Sequence, residues 1–266
     1  MDTRKPQQVA SLVDFKPVHA VHRLYAYRKS LSTKAFSARG KKLIRCPLCL
    51  LGTQFCTCAH RKPLSSDISV MLIMYDDEVL KPTNSGRLIA DLIPDTHAYL
   101  WSRTQPNQAM LAQLVDPQYQ VYLVFPEQYV EQQVVFNRIE KQAQQSDKKV
   151  LLVFLDGSWR QAIKMFRKSP YLHQLKVLSI SSSKLATYAL RKGSHDFQLG
   201  TAEVAALALD AAGEPLNGHA LTAWFDLFVE SSLLGRNRRL KSTIVPISEY
   251  VDQFNLAYNQ AKSSNK

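Results

Sequence analysis

Residues 68–75 read ISVMLIMY, an almost unbroken apolar run with the length of one buried strand. Two more runs of this kind follow, YQVYLVF at 119–125 and VLLVFL at 150–155, each far enough from the last for a crossover connection. A strand covered on one face alternates apolar and polar residues, whereas continuous runs belong in a sheet covered on both faces, the usual situation of parallel strands. Helical patterning over 128–145 and 159–168, a short strand at 177–180 and a helix over about 202–209 complete an alternation of the two element types. The expected fold class is therefore α/β with a mainly parallel sheet. Ligands of such sheets gather beyond the carboxyl ends of the strands, so the loops behind these runs are where chemistry is sought.

Behind the first run comes DDEVLKPTNSGRLIADLI, in which Thr83, Asn84, Ser85 and Gly86 form a turn of small hydrogen-bonding groups ahead of Arg87. Such a turn can present backbone N–H groups to an anion. A helix capped by Asn84 or Ser85 would have the same pattern. Behind the third run comes LDGSWRQAIKMF: Asp156 closes the strand, Gly157 permits a sharp turn and Ser158 is placed to cap a helix. That helix puts Arg160, Lys164, Arg167 and Lys168 on one face and Trp159, Ile163 and Phe166 on the other. An ordinary capped amphipathic helix accounts for much of this.

Upstream of the first run, the chain's four cysteines fall within RCPLCLLGTQFCTC as Cys46, Cys49, Cys56 and Cys58. Two closely spaced thiolate pairs can close a tetrahedral four-sulfur site around one zinc ion, with no open position for catalysis. A thiol redox motif is the rival reading. His60 is the nearest substitute ligand and reads as solvated or phosphate-facing.

The formal net charge is +12, and it is concentrated. No acidic residue stands between Asp14 and Asp67, where Arg23, Arg28, Lys29, Lys41, Lys42 and Arg45 are interleaved with Tyr25, Tyr27 and Phe36. A second acid-free stretch runs from Asp156 to Asp196 and adds Lys176, Lys184, Arg191 and Lys192. Fields of this kind attract a polyanion, and aromatics among the cations suit single-stranded or looped nucleic acid. A solvated basic tail is the plainer alternative. Glycine spacings for a dinucleotide fingerprint or a phosphate-binding loop are absent, as are a nucleophile elbow and HExxH. No apolar run is long enough to span a bilayer, MDTRKPQQVA does not read as a secretory leader, and cysteines in metal spacing fit a reducing compartment. The cytoplasm is the expected location.

Several of these segments resemble, in order, the motifs of the DTW-domain family of tRNA-uridine aminocarboxypropyltransferases. The name-giving element corresponds to Asp156, Gly157, Ser158 and Trp159, and the T-N-[ST]-G-R element to Thr83 through Arg87. The cysteine knuckle, YALRKG with Arg191 and Lys192, and GTAEVAALAL at 200–209 follow the family order, so the resemblance covers about residues 43 to 230. Ser158 replaces a common threonine and keeps the hydroxyl; Gly200 stands where a serine is common.

The resemblance implies a fold related to the knotted SPOUT methyltransferases and S-adenosylmethionine as donor. It implies transfer of a 3-amino-3-carboxypropyl group to N3 of a uridine in the variable loop of tRNA, with release of methylthioadenosine. It makes Asp156 the group that orients or deprotonates the uridine, or alternatively holds the turn or the donor's ammonium. Thr83, Asn84, Ser85, Gly86, Arg87, Leu155, Gly157, Ser158, Trp159, Thr201 and Glu203 become the cofactor-binding set, with Glu78 a second proton-handling candidate. Trp159 reads either as packing on cofactor or base or as a buried structural residue. Arg23, Arg28, Lys29, Lys41, Lys42, Arg45, Arg160, Lys164, Arg191 and Lys192 are the expected tRNA contacts. The expected organisation is a basic arm at 1–42, a zinc knuckle at 43–62 that serves binding, a catalytic domain at 63–245 and a C-terminal tail at 246–266. A methyltransferase of the same fold and a non-catalytic RNA-binding module are the competing readings. The oligomeric state stays open, a monomer being compatible.

Overall fold

The structure is a computed structural model and describes residues 18–33, 43–139, 148–180, 199–235 and 246–264. Its centre is a six-stranded sheet of β1 (Ile68–Met74), β2 (Thr96–Leu100), β3 (Tyr119–Val124), β4 (Val135–Phe136), β5 (Lys149–Asp156) and β6 (Lys176–Leu178). The order is β2-β1-β5-β3-β6-β4 and every pairing is parallel. The fold class is therefore the expected α/β class.

The continuous apolar runs become β1, β3 and β5, and the pleat sends their side chains alternately into two cores. Val70, Leu72, Met74, Leu152, Phe154 and Tyr122 face one layer. That layer is formed by α2 (Gly86–Leu92), α5 (Thr201–Ala211), α6 (Pro215–Leu234) and α7 (Ile247–Ser264). Met71, Ile73, Leu151, Val153 and Leu123 face the other, formed by α3 (Gln108–Leu114) and α4 (Trp159–Arg167). All of β1 is buried, which is why its sequence shows no alternation.

The helical pattern expected over 128–145 is not what forms. After Pro126 the chain makes one short 3₁₀ turn, Glu127–Tyr129, and then β4, which pairs with β6. Val134, Val135 and Phe136 favour an extended edge over a helix. Residues 140–147 of that stretch lie outside the described residues. The knotted passage implied by the resemblance is not traced either, since 181–198, between β6 and α5, also lie outside them.

Both ends of the described chain are docked. The segment read as a tail is α7, whose Phe254, Ala257 and Ala261 are buried against the core. Lys62 Nζ donates to Asn255 Oδ1 at 2.8 Å and Tyr258 OH to the Pro63 carbonyl at 3.2 Å. Within the basic arm, α1 (Ala20–Ser30) buries Val21 and His22. His19 caps it through Nδ1, leaving Nε2–H to donate to Asp91 Oδ1 at 3.1 Å. Arg61 Nη1 reaches the same oxygen at 3.2 Å, and Trp224 Nε1 donates to Oδ2 at 3.2 Å.

Asp91 thus clamps α1, α2, α6 and the end of the cysteine segment. Burial alone would raise its carboxyl, but the hydrogen bond from His19 and the Arg61 charge outweigh it and hold the group below the usual carboxylate range. Asp91→Ala leaves Arg61 and His19 without their partner and should cost about 3 kcal/mol of stability. Urea unfolding at pH 7 checks this, and a loss under about 1 kcal/mol would sink the clamp. No described helix is long and apolar enough to cross a membrane.

Candidate active site and metal centre

The cysteine segment folds into a tight knuckle in which Leu50 N–H donates to the Cys46 carbonyl at 3.0 Å and Cys46 N–H to the Leu51 carbonyl at 2.8 Å. Leu50 takes a left-handed conformation, φ 60°, to make the turn. All four Sγ atoms lie within 4.8 Å of one another. Cys46 and Cys58 are 3.8 Å apart and Cys49 and Cys56 3.7 Å. Four bonds of about 2.3 Å in a tetrahedron require sulfur separations of roughly 3.8 Å, so the donor set fits zinc. His60 is not among the converging ligand atoms.

Three segments distant in sequence meet at the carboxyl end of β5. Asp156 is 2% exposed, and both of its oxygens are occupied. Asn84 Nδ2 donates to Oδ2 at 2.6 Å, and Thr201 Oγ1 donates to Oδ1 at 2.5 Å. Asn84 is held in turn, its Oδ1 accepting from Arg87 N–H at 3.2 Å. Ser85 Oγ accepts from Ala202 N–H at 3.3 Å, tying the turn before α2 to the start of α5. A Cβ on Gly86 would lie 2.5 Å from Asp156 Oδ2, and one on Gly200 would lie 3.0 Å from Ser85 Oγ. Both glycines are therefore places where backbone must pass close to a side chain. Burial pushes the Asp156 carboxyl up to about 6, the hydrogen bonds from Thr201 and Asn84 opposing and the nearby Glu78 charge adding to the rise.

Beside this network is a cavity of about 490 Å³. Leu155, Gly157, Ser158, Trp159 and Thr201 line it, together with Phe125, Pro126, Tyr129 and Ile180. The loop after β3 supplies Phe125, Pro126, Gln128 and Tyr129, which none of the sequence motifs marks. Its signal was there, since YQVYLVFPEQY places an aromatic loop behind the second apolar run. Trp159 is 41% exposed, stacked on Phe125 at 5.8 Å between ring centres and edge-on to Tyr129 at 5.3 Å, so the buried structural reading of it is set aside.

Asn84, Ser85, Gly86, Arg87, Asp156 and Glu203 are not on the cavity wall. Glu203 accepts from Gly200 N–H at 2.7 Å and caps α5, just as Gln161 caps α4 by accepting from Ser158 N–H at 2.8 Å. Thr83 is exposed. Arg87, expected to pair with a ligand, is 2% exposed and its guanidinium donates to four carbonyl oxygens. Glu78 is engaged by Lys81 Nζ at 2.6 Å.

The expected tRNA contacts divide similarly. Arg23, Lys29 and Arg160 are exposed. Arg28 pairs with Asp76 through Nε and Nη2 at 2.7 and 2.8 Å, and Arg45 Nη1 donates to the Leu50 carbonyl at 2.8 Å within the knuckle. Lys164 Nζ donates to Tyr75 OH at 3.1 Å beside the stacked Tyr75 and Trp101 rings. Lys41, Lys42, Arg191 and Lys192 lie outside the described residues.

The family model of the DTW domain matches residues 43–233, from just before the knuckle to the last turn of α6. The chain belongs to the DTW-domain family. That family is the tRNA-uridine aminocarboxypropyltransferase family, which makes this protein a tRNA-modifying enzyme with tRNA as its partner. No solved structure matches the chain. The three segments that meet at Asp156, with the knuckle, all fall inside the DTW match, whereas α1 and α7 lie outside it.

Proposed function

We propose that this DTW enzyme transfers the 3-amino-3-carboxypropyl group of S-adenosylmethionine to N3 of a uridine in the variable loop of tRNA and releases methylthioadenosine. The observation that carries the reading is the convergence of Asn84, Asp156 and Thr201 behind a cavity of about 490 Å³, a volume within the range of small-molecule sites. Its apolar and aromatic walls suit a nucleoside, with Leu155, Gly157, Ser158, Trp159, Phe125, Tyr129 and Ile180 as the holding residues. When bound, S-adenosylmethionine supplies the sulfonium-activated carbon that N3 attacks.

The uridine N3–H must lose its proton as the new bond forms. Thr201 lines the cavity while donating to Asp156, so its hydroxyl takes the N3 proton as its own moves to Asp156 Oδ1. A carboxyl lifted to about 6 is a serviceable acceptor near neutrality. Asn84 keeps the carboxylate oriented. The four cysteines hold a structural zinc, and the exposed cations of α1 and α4 carry tRNA phosphate contacts. A monomer is the proposed working unit, and the cysteine spacing accords with the cytoplasm.

Mass spectrometry of nucleosides from unmodified tRNA incubated with the enzyme and S-adenosylmethionine tests this. One aminocarboxypropyl group on uridine, with methylthioadenosine released, is expected. A methylated nucleoside with S-adenosylhomocysteine would replace the chemistry, and no change in several tRNAs with zinc-loaded protein would favour a binding module.

A further inference from the structure

Arg87 connects two parts of the molecule that the family motifs leave separate. It is the only described arginine or lysine that is buried, and among the described residues no carboxylate lies within ion-pair distance of it. Its Nη1 donates to the Leu48 carbonyl at 3.3 Å, and Leu48 stands between Cys46 and Cys49 inside the knuckle. Its Nη2 donates to the carbonyls of Val79 at 3.3 Å and Lys81 at 3.0 Å, and its Nε to that of Asn84 at 3.3 Å. Those residues lead into the turn from which Asn84 grips Asp156. One side chain therefore spans the metal loop and the carboxylate's holder.

Carbonyl acceptors satisfy the guanidinium's protons, but the charges of Asp91 and Asp156, beyond ion-pair distance, only partly offset the burial of its own, and an under-compensated buried charge is strongly unfavourable. A divalent ion on four thiolates leaves about two negative charges on the centre, beside the loop that Arg87 touches. We infer that Arg87 is a positioning residue that couples metal occupancy of the knuckle to the Asn84–Asp156–Thr201 network. The metal–thiolate centre holds the guanidinium, and the guanidinium holds the turn. The knuckle then serves the catalytic site as well as RNA binding. This rests on the proposed reaction only where transfer is the readout.

Hydrogen exchange on the full chain, zinc-loaded and chelator-stripped, tests the coupling. After stripping, the amides of Asn84, Arg87, Leu88 and Ala202 should exchange at least ~10-fold faster, while those of Leu72 and Val153 in the central strands stay unchanged. Arg87→Lys keeps the charge but loses the fork. With zinc content equal to that of the parent, it should show the same fast exchange at the turn. Its transfer rate should fall at least ~10-fold with tRNA affinity within about twofold.

Faster exchange confined to 43–62 on stripping, or an Arg87→Lys turn as protected as the parent's, would overturn the inference. Uniform loss of protection across the sheet would overturn it too, because it would make the metal a general stabiliser. Exchange coupling in a parent protein that makes no modified uridine would support the inference and count against the proposed reaction.

Discussion

Asp156→Ala is expected to lower transfer at saturating donor by at least ~10²-fold, the scale of losing a positioned proton acceptor, with tRNA affinity nearly unchanged. Thr201 lines the cavity and donates to the carboxylate, so the two residues should fail in a related way. Thr201→Ser keeps the hydroxyl and should stay within about threefold of the parent, whereas Thr201→Val should lose at least ~10-fold without weakening S-adenosylmethionine binding. Single-turnover rates and calorimetric titration of the donor measure both. A Thr201→Val enzyme that transfers normally would remove the hydroxyl from the proton path, and an Asp156→Ala enzyme within threefold of the parent would remove the carboxylate.

The same carboxyl sets two pH dependences of opposite sense. Transfer needs the ionised form, so the rate should fall about tenfold per unit as pH drops below about 6. Stability runs the other way. The folded-state value lies above the ordinary 3.8 of an aspartate, so the contribution of this group is fully present below 3.8 and is lost as pH rises through about 6. Relative to Asp156→Asn, the parent should therefore lose roughly 3 kcal/mol between pH 3.5 and pH 7. Urea unfolding of the pair at both pH values gives that difference, and a pH-independent difference would show that burial does not raise this carboxyl.

Gly86→Ala is the second large effect. The added Cβ would sit 2.5 Å from Asp156 Oδ2 and 3.1 Å from its Cγ. Asp156 cannot retreat easily, because its backbone is the last rung of the β1–β5 pairing and its carbonyl accepts from Tyr75 N–H at 2.8 Å. The carboxylate must rotate away from Asn84. We expect a loss of about 2 kcal/mol in stability and at least ~10-fold in rate. Gly157→Ala is the milder comparison, its nearest contact at 3.1 Å being the far end of the Gln161 side chain. In an Asp156→Ala background the clash is gone, so Gly86→Ala should then cost under about 0.5 kcal/mol. An unchanged cost there would place the strain elsewhere.

Strands β1, β3 and β5 were legible because burial on both faces leaves a run such as ISVMLIMY with nothing to hide. β4 and β2 were not, because edge strands of two and five residues carry little pattern and Val135–Phe136 sits in a stretch that mimics helical spacing. Motif order identified the segments that meet at Asp156 but not their layering. Nothing in TNSGR distinguishes an arginine that grips a ligand from one that turns inward to four carbonyls. The cavity wall after β3 was hidden for another reason. Phe125 and Tyr129 are aromatics in a loop, and only the three-dimensional juxtaposition with Trp159 gives them a role.

The strand order also governs the sequence of events in folding. β1 is flanked by β2, whose Thr96 pairs with Val70, and by β5, whose Leu152 pairs with the same residue from 82 positions away. The local partner can dock early, but the distant one must close a long loop first, which is slow. Asp156 rides on that late-arriving central strand. A nascent or partly folded chain that has paired only β1 and β2 therefore has the cysteines and the Asn84 turn in hand but no carboxylate for the turn to hold. Catalytic competence arrives in one step with closure of the sheet, so donor binding should register only fully assembled molecules and slow their unfolding.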